Sequence, residues 1–345
     1  MTMDASRVLD QLLDGNDLSE SQAGELMHLL TDASLHPAMA GAVLAALRAK
    51  GETPNELRGL ARAMRELAIK PTLPDGLAAT DCSGTGGDGS GSLNLSTGSA
   101  LLAAACGLPV VKHGNRSISS KSGSADVLEA MGVPLLDKPD AAMACLTECG
   151  FSFLFAPFFH PAMKAVAPVR SAMGVRTVFN ILGPLANPCA PPFQLIGAFD
   201  LATASLMADA MAGLEIKRAF VVHGEPGWDE ATPAGSFELF DVRPGQVRQS
   251  RRDPNDFGLR RCKPEDLAGG DAAANAVALE AVLTGQEQGA HRDALALGAG
   301  LVLELTGATV SLESGIARAQ AALDSGESAG LLRRLREFRG VVHGC

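Results

Sequence analysis

The residues best suited to chemistry begin at GTGGDGSGSLNLSTG, residues 84–98. Gly84, Gly86, Gly87 and Gly89 follow an apolar run and precede Ser92, Asn94, Ser96 and Thr97 at the start of a helical pattern. Glycines bare the backbone N–H groups, and a helix start adds its own unpaired donors, so such a run suits an anion. GTGGDG also satisfies G-x-G-x-x-G, the dinucleotide pattern. That pattern needs the third glycine to open the helix directly and an acidic residue about 20 positions later for the ribose. Here Ser90, Gly91 and Ser92 intervene, and no Asp or Glu lies between Asp88 and Asp126. The dinucleotide reading therefore fails, and a phosphate loop competes only with an ordinary glycine-rich turn.

Three further clusters carry charge of the right kind. In VKHGNRSISSKSGSADVLEA, Lys112, His113, Arg116 and Lys121 alternate with Ser117, Ser119, Ser120, Ser122 and Ser124. Cations, hydroxyls and loop amides together make an anion site; a lone Lys or Arg would read as solvated surface. The Walker pattern is absent, because Ser120 stands where its glycine belongs. Asp229 and Glu230 follow the apolar run RAFVVHG. A carboxylate pair at a strand's end can hold Mg²⁺, which takes one or two protein carboxylates and completes its shell with water and phosphate oxygens. His160, Lys164 and Arg170 fall near one expected helix in HPAMKAVAPVRSAMG, and an arginine there could clamp a planar carboxylate.

The elements that must position these groups fall into two blocks. Residues 1–72 read as a helical bundle: Ser19 with Gln22, and Thr53 with Pro54 and Glu56, are helix-start signatures, and Gly51 ends a third helix. From residue 73 short apolar runs alternate with helical patterns, as in LAATDCS, PVVKHG, FSFLFAP, FQLIGAF and RAFVVHG. This predicts an α/β domain over 73–345 with a mostly parallel central sheet flanked by helices. SFELFDVRPGQVRQSRR predicts a hairpin turning at Pro244 and Gly245.

Charge and cysteine usage narrow the function classes. The 345 residues carry a formal net charge of −10, which disfavours unspecific attraction to nucleic acid. No apolar run reaches the length of a membrane span, and MTMDASRVLDQLLDG has the composition of a polar-flanked helix, not of a secretory signal. A cytoplasmic enzyme is the expectation. The seven cysteines show no C-x-x-C, and most read as small buried hydrophobes.

GTGGD, N-x-S-T, KHGNR, SSKSGSADVLEA, HPAMK-x-x-APVR, FN-x-LGPL-x-NP and HG-x-x-G-x-DE occur in that order. The chain thereby resembles the anthranilate phosphoribosyltransferase family over nearly its whole length. The resemblance implies an N-terminal helical domain completed by a segment within about 161–192, and a homodimer formed through it. It assigns phosphoribosyl pyrophosphate to Gly84, Gly87, Asp88, Ser92, Asn94, Leu95, Ser96, Thr97, Lys112, His113, Gly114, Asn115, Arg116, Ser117, Ile118, Ser119, Ser120 and Ser124. It assigns anthranilate to Gly84, Asn115 and Arg170, with His113 and His160 near its path. Magnesium, two ions per subunit, falls to Ser96, Asp229 and Glu230. Leu93 and Leu95 stand where Phe and Ile are usual, Ser92 replaces a common Thr, and Trp228 replaces a Leu. Two rivals are a pyrimidine-nucleoside phosphorylase, whose KHSTGG-type segment is replaced here by KHGNR, and a non-catalytic nucleic-acid-binding relative.

Overall fold

In the computed structural model, which describes residues 4–117 and 121–339, the five apolar runs become parallel strands. They are β1 (Thr80–Gly84), β2 (Val110–Gly114), β3 (Phe151–Phe155), β4 (Phe193–Gly197) and β5 (Arg218–Gly224). β6 (Phe237–Arg243) and β7 (Gln246–Arg252) form the hairpin expected at Pro244 and Gly245, where Gly245 takes φ +70°. The sheet order among the described residues is β3-β2-β1-β4-β5-β6-β7, with β6 and β7 antiparallel. Strand order reverses between β1 and β4, so a crevice opens at their C-terminal ends, the usual ligand site of such sheets.

Both faces of the inner strands are covered, which explains why β3, β4 and β5 are largely apolar and buried, whereas the edge strand β7 (QVRQSRR) is polar and mostly exposed. On β5, Ala219 and Val221 join the apolar cluster that includes the N-terminal helices, while Phe220 and Val222 join the cluster on the opposite face. Burying one such Phe contributes roughly 1.5–3 kcal/mol. After β1 the chain enters the helix Leu95–Ala105, which lies against the long helix Ala290–Thr306. Gly98 permits that approach, since a β-carbon there would meet Leu295 Cδ2 at 2.6 Å. The small side chain thus fixes where the start of the helix Leu95–Ala105 sits over the sheet.

Four helices, Ala5–Leu13, Glu20–Leu30, Pro37–Lys50 and Pro54–Glu66, precede the sheet. The capping boxes at Ser19 with Gln22 and at Thr53 with Glu56 both form. Glu56 is fully buried and also accepts from Leu18 N at 2.8 Å and Lys50 Nζ at 3.0 Å. Val166, Val169, Phe179, Ile181, Leu182 and Leu185 share the apolar cluster of these helices. The HPAMKAVAPVRSAM stretch is not one helix: Pro161–Lys164 is a 3₁₀ turn, and an α-helix restarts at Ala167–Met173. Pro168 explains the break, because it lacks an N–H and is tolerated only in a first turn.

Candidate active site

The glycine-rich loop and the acidic pair, 145 positions apart at Gly84 and Asp229, meet at the crevice. Gly84 ends β1 and Gly197 ends β4, and the chain at Asp229 lies across both. A β-carbon at Gly84 would stand 2.4 Å from Asp229 Oδ2, and one at Gly197 would stand 1.5 Å from Asp229 O. At the end of β5, a β-carbon on Gly224 would stand 2.1 Å from Glu230 O. Three strand-terminal glycines therefore seat the acidic loop. Gly197 and Gly224 were not singled out by sequence, although Gly224 falls inside the HG-x-x-G-x-DE motif, since each looks like an ordinary strand end in isolation.

Hydrogen bonds complete the arrangement. Gly86 N donates to Asp229 Oδ2 at 2.6 Å, Asp229 N donates to Asp88 Oδ2 at 3.2 Å, and Ser96 N, in the first turn of its helix, donates to Glu230 Oε1 at 2.9 Å. Burial raises the pKa of both carboxyls, and the neighbouring negative charges, Asp88 on Asp229 and Asp229 on Glu230, raise them further. Crowded carboxylates of this kind are relieved by a bound cation. Among the described residues no three His, Cys, Asp or Glu side chains converge as a ready metal cage. The donor set of two carboxylates and a hydroxyl fits a hard ion that takes its other oxygens from a substrate.

Lys112, on β2, is buried beneath the helix start; its Nζ donates to Cys82 O and, at 3.3 Å, to Ser96 Oγ. Asn94 is held from two sides, its Nδ2 donating to Ser122 O at 3.1 Å and its Oδ1 accepting from Asn275 Nδ2 at 2.8 Å. Ser92 bridges to Ala268, and Leu93 and Leu95 anchor the loop in the core. Leu95 and Thr97 are buried, and their backbone N–H groups donate within the loop and first turn, to Leu93 O at 2.6 Å and Asn94 O at 3.1 Å. Gly87 takes φ +73° with open space beside it.

The loop after β2 is tied at both ends by Asp126, whose Oδ2 accepts from Ser117 N at 3.0 Å and Gly123 N at 2.9 Å. Arg116 is exposed and pairs with Asp126 at 2.8 Å and Glu129 at 2.5 Å. Ser124 Oγ donates to Asn115 O at 3.3 Å, and Gly114 is required because a β-carbon there would lie 2.3 Å from that hydroxyl. Ile118, Ser119 and Ser120 lie outside the described residues.

Next to this donor-like half sits a second, less polar one. The rings of His113 and His160 stand 5.0 Å apart, both buried, with each Nε2 unbonded among the described residues. Burial drives His113 down to about 3 and His160 to about 4, so both are neutral imidazoles at pH 7. Arg170 is half-buried, and its guanidinium lies 4.8 Å over the Phe179 ring with no carboxylate partner among the described residues. A stacked, uncompensated arginine is set up to receive a carboxylate from elsewhere. Beneath both halves, Asp81 accepts from His113 N at 3.2 Å and from Asn187 Nδ2 at 2.9 Å. Burial raises its pKa to about 6, against the pull of the Lys112 charge and those hydrogen bonds. Asp81, Asp126, Asn187 and Asn275 were not singled out by sequence, although Asp126 and Asn187 fall inside the motifs.

The Glycosyl transferase family, a/b domain, matches residues 77–329, and its helical bundle domain matches residues 6–68. Anthranilate phosphoribosyltransferase of Desulforudis audaxviator is 46% identical over 330 residues, 96% of this chain and 95% of that protein. The chain belongs to the anthranilate phosphoribosyltransferase family. Its relative from Rubrobacter xylanophilus is 43% identical, covering 93% of each chain. Among solved structures, the family member from Thermus thermophilus superposes with a TM-score of 0.90 at 43% identity, covering 97% of this chain and 99% of that one. The Saccharomyces cerevisiae member in complex with PRPP and Mg gives 0.87 at 25% identity over 96% and 97%.

Proposed function

We propose that this enzyme transfers the 5-phosphoribosyl group from phosphoribosyl pyrophosphate to the amino nitrogen of anthranilate, releasing pyrophosphate, as a step of tryptophan biosynthesis. The observation that carries the reading is the glycine-rich loop that meets Asp229 and Glu230, taken with Arg170, which stacks on Phe179 without an acid partner among the described residues. One half suits a doubly phosphorylated donor, the other a planar aromatic carboxylate. The Saccharomyces cerevisiae relative, described with PRPP and Mg, supports the donor and the metal.

In this reading the donor is held by Gly84, Gly87, Asp88, Ser92, Asn94, Leu95, Ser96 and Thr97, by Lys112 to Ser120, and by Ser124. Asp229, Glu230 and the Ser96 hydroxyl would hold Mg²⁺, two ions per subunit, which when bound neutralises phosphate oxygens. The C1–O bond to pyrophosphate breaks with its electron pair leaving on oxygen, the anthranilate nitrogen forms the new C1–N bond, and that nitrogen then loses a proton. The glycine-loop amides and Lys112 stabilise the charge that develops on the leaving group. Arg170 orients the acceptor carboxylate, with Gly84 and Asn115 near its ring. The neutral, largely buried His113 and His160 border the acceptor's path without competing for its carboxylate. No strong base is required, because an aromatic amine attacks through its own lone pair.

The helical residues 1–72, completed by 161–192, are proposed as the domain through which a cytoplasmic homodimer forms, with 73–345 as the donor-binding domain. None of the helices among the described residues is long and apolar enough to cross a membrane. The deciding assay follows anthranilate consumption with phosphoribosyl pyrophosphate and Mg²⁺, against a pyrimidine nucleoside with phosphate as the control. Turnover of the nucleoside and not of anthranilate would overturn the reading.

A further inference from the structure

We infer that Asp81 and Asn187 form a positioning pair that sets the acceptor side of the site in register with the donor side. The inference rests on the proposed phosphoribosyl transfer. Asp81 lies on central strand β1, and both residues are wholly buried. Its two oxygens join two segments: Oδ1 accepts at 3.2 Å from the backbone N of His113 on β2, the strand that carries Lys112 and leads into the loop assigned to the donor, and Oδ2 accepts from Asn187 Nδ2 at 2.9 Å.

Asn187 ends the segment that carries the acceptor-side contacts. Phe179, under Arg170, opens the short helix Phe179–Leu182, and a 3₁₀ turn over Gly183–Leu185 leads straight on to Asn187. The same side chain donates to Val111 O on β2 at 2.8 Å and accepts from Cys189 N at 2.9 Å. Two further bonds hold the segment: His113 Nδ1 to Gly183 O at 3.2 Å, and Arg65 Nε to Leu185 O at 2.7 Å. The segment is thus a stiff bracket with one end under Arg170 and the other locked to β1 and β2.

A buried carboxylate and amide are an expensive way to fill this volume, since an apolar pair would avoid their desolvation. Direction is what the polar pair adds. Carboxylate oxygens only accept and the Asn187 amide nitrogen only donates, so one register satisfies them all. Bond formation between two bound substrates falls steeply with displacement, about a hundredfold for 1 Å. A pair that holds Phe179 relative to His113 therefore acts on the transfer step while touching neither substrate.

The test is Asn187→Asp, which turns the donor facing Asp81 into an acceptor, alone and combined with Asp81→Asn, which restores one donor to that contact. Steady-state constants are expressed per folded enzyme, with the folded fraction taken from thermal melts, and donor affinity is read by calorimetry with Mg²⁺. Asn187→Asp is expected to lower kcat/KM for anthranilate at least tenfold while donor Kd changes by less than about threefold, and the double variant is expected to recover part of the loss, since Val111 O still lacks its donor. If Asn187→Asp does not fold, Asn187→Ser, which gives up the reach to Asp81, carries the same measurement. Unchanged constants per folded enzyme, or a double variant no better than the single, would overturn the pairing. Wild-type protein that does not consume anthranilate would overturn the functional reading, and this inference with it.

Discussion

Asp229 occupies the space a side chain would need at Gly84, where a β-carbon would stand 2.4 Å from its Oδ2. Gly197 is tighter still, at 1.5 Å from the Asp229 backbone oxygen. The two glycines differ in what must yield, a carboxylate in one case and main chain in the other. Gly84→Ala should therefore fold with a loss of about 1–3 kcal/mol and lose most activity through displacement of the carboxylate. Gly197→Ala should cost more stability, because the loop backbone itself must move. Denaturant melts and anthranilate turnover rank the two, and equal stability losses would mean that the acidic loop is not pinned at β4.

Asp229→Asn together with Glu230→Gln removes the charge and keeps the shape. Each amide still has an oxygen to accept from Gly86 N or Ser96 N, so the melting temperature should stay near wild type, and relief of the crowded charges could raise it. Turnover should collapse at limiting Mg²⁺. A double variant with near-normal activity under that condition would remove the metal assignment.

For Arg170→Ala, the KM for anthranilate should rise far more than that for phosphoribosyl pyrophosphate. A lost charge-assisted contact costs about 1.5–3 kcal/mol, roughly ten- to a hundredfold. The half-buried guanidinium has no carboxylate to leave stranded among the described residues, so the effect on stability should be small. Arg170→Lys should not rescue, since an ammonium cannot offer two parallel donors. A shift confined to the donor's constant would place Arg170 in the other subsite.

What sequence could and could not show divides along chain distance. Thr53 with Glu56, or the runs that became β1 to β5, are local signals, and each folds as its spacing demands. The GTGGD loop and the Asp229–Glu230 pair were legible because their residue types announce charge handling. Gly197, Gly224, Asp81 and Asn187 were not, because their roles exist only where strands and loops meet in space. His160, Lys164 and Arg170, expected near one helix, are divided by a break before Pro168, whose missing N–H confines it to a first turn: Lys164 ends a 3₁₀ turn and Arg170 lies in the next α-helix.

His160 yields a pH dependence that it shares with His113, whose pKa its ring 5.0 Å away helps to lower and which acts in the same direction. The pKa of His160 falls from an ordinary 6.5 to about 4 because burial disfavours the charged ring. The unfolded chain therefore takes up a proton that the folded one refuses. The stability this group contributes is whole above pH 6.5 and is lost as pH falls toward 4, on the order of 3 kcal/mol in full. Asp81, raised to about 6, works in the opposite direction. That contribution is common to wild type and His160→Gln and cancels in their difference. The stability advantage of wild type over His160→Gln should shrink steadily between pH 7 and pH 4 in denaturant titrations. A constant difference across that range would mean that the imidazole titrates normally.

Trp228, the single tryptophan in a chain without tyrosine, stands one residue before the acidic pair. The loop position suggests an indole that moves when ligand arrives, yet Trp228 is 6% exposed and packs in the core beneath the sheet's helical layer. Its backbone is fastened as well, exchanging two hydrogen bonds of 2.9 Å with Gly224. A large opening of this loop would break both the packing and that pair. Binding should therefore change the indole's electrostatic surroundings more than its exposure. Mg²⁺ with phosphoribosyl pyrophosphate, without the fluorescent acceptor, should alter emission intensity saturably while the maximum stays blue, as for a buried ring. Mg²⁺ alone should do little, since the ion dehydrates reluctantly without phosphate oxygens, and Asp229→Asn should weaken the response. A red shift toward solvent-exposed emission would show that the loop unseats on binding, and unchanged intensity at calorimetric saturation would show that the indole does not sense the site.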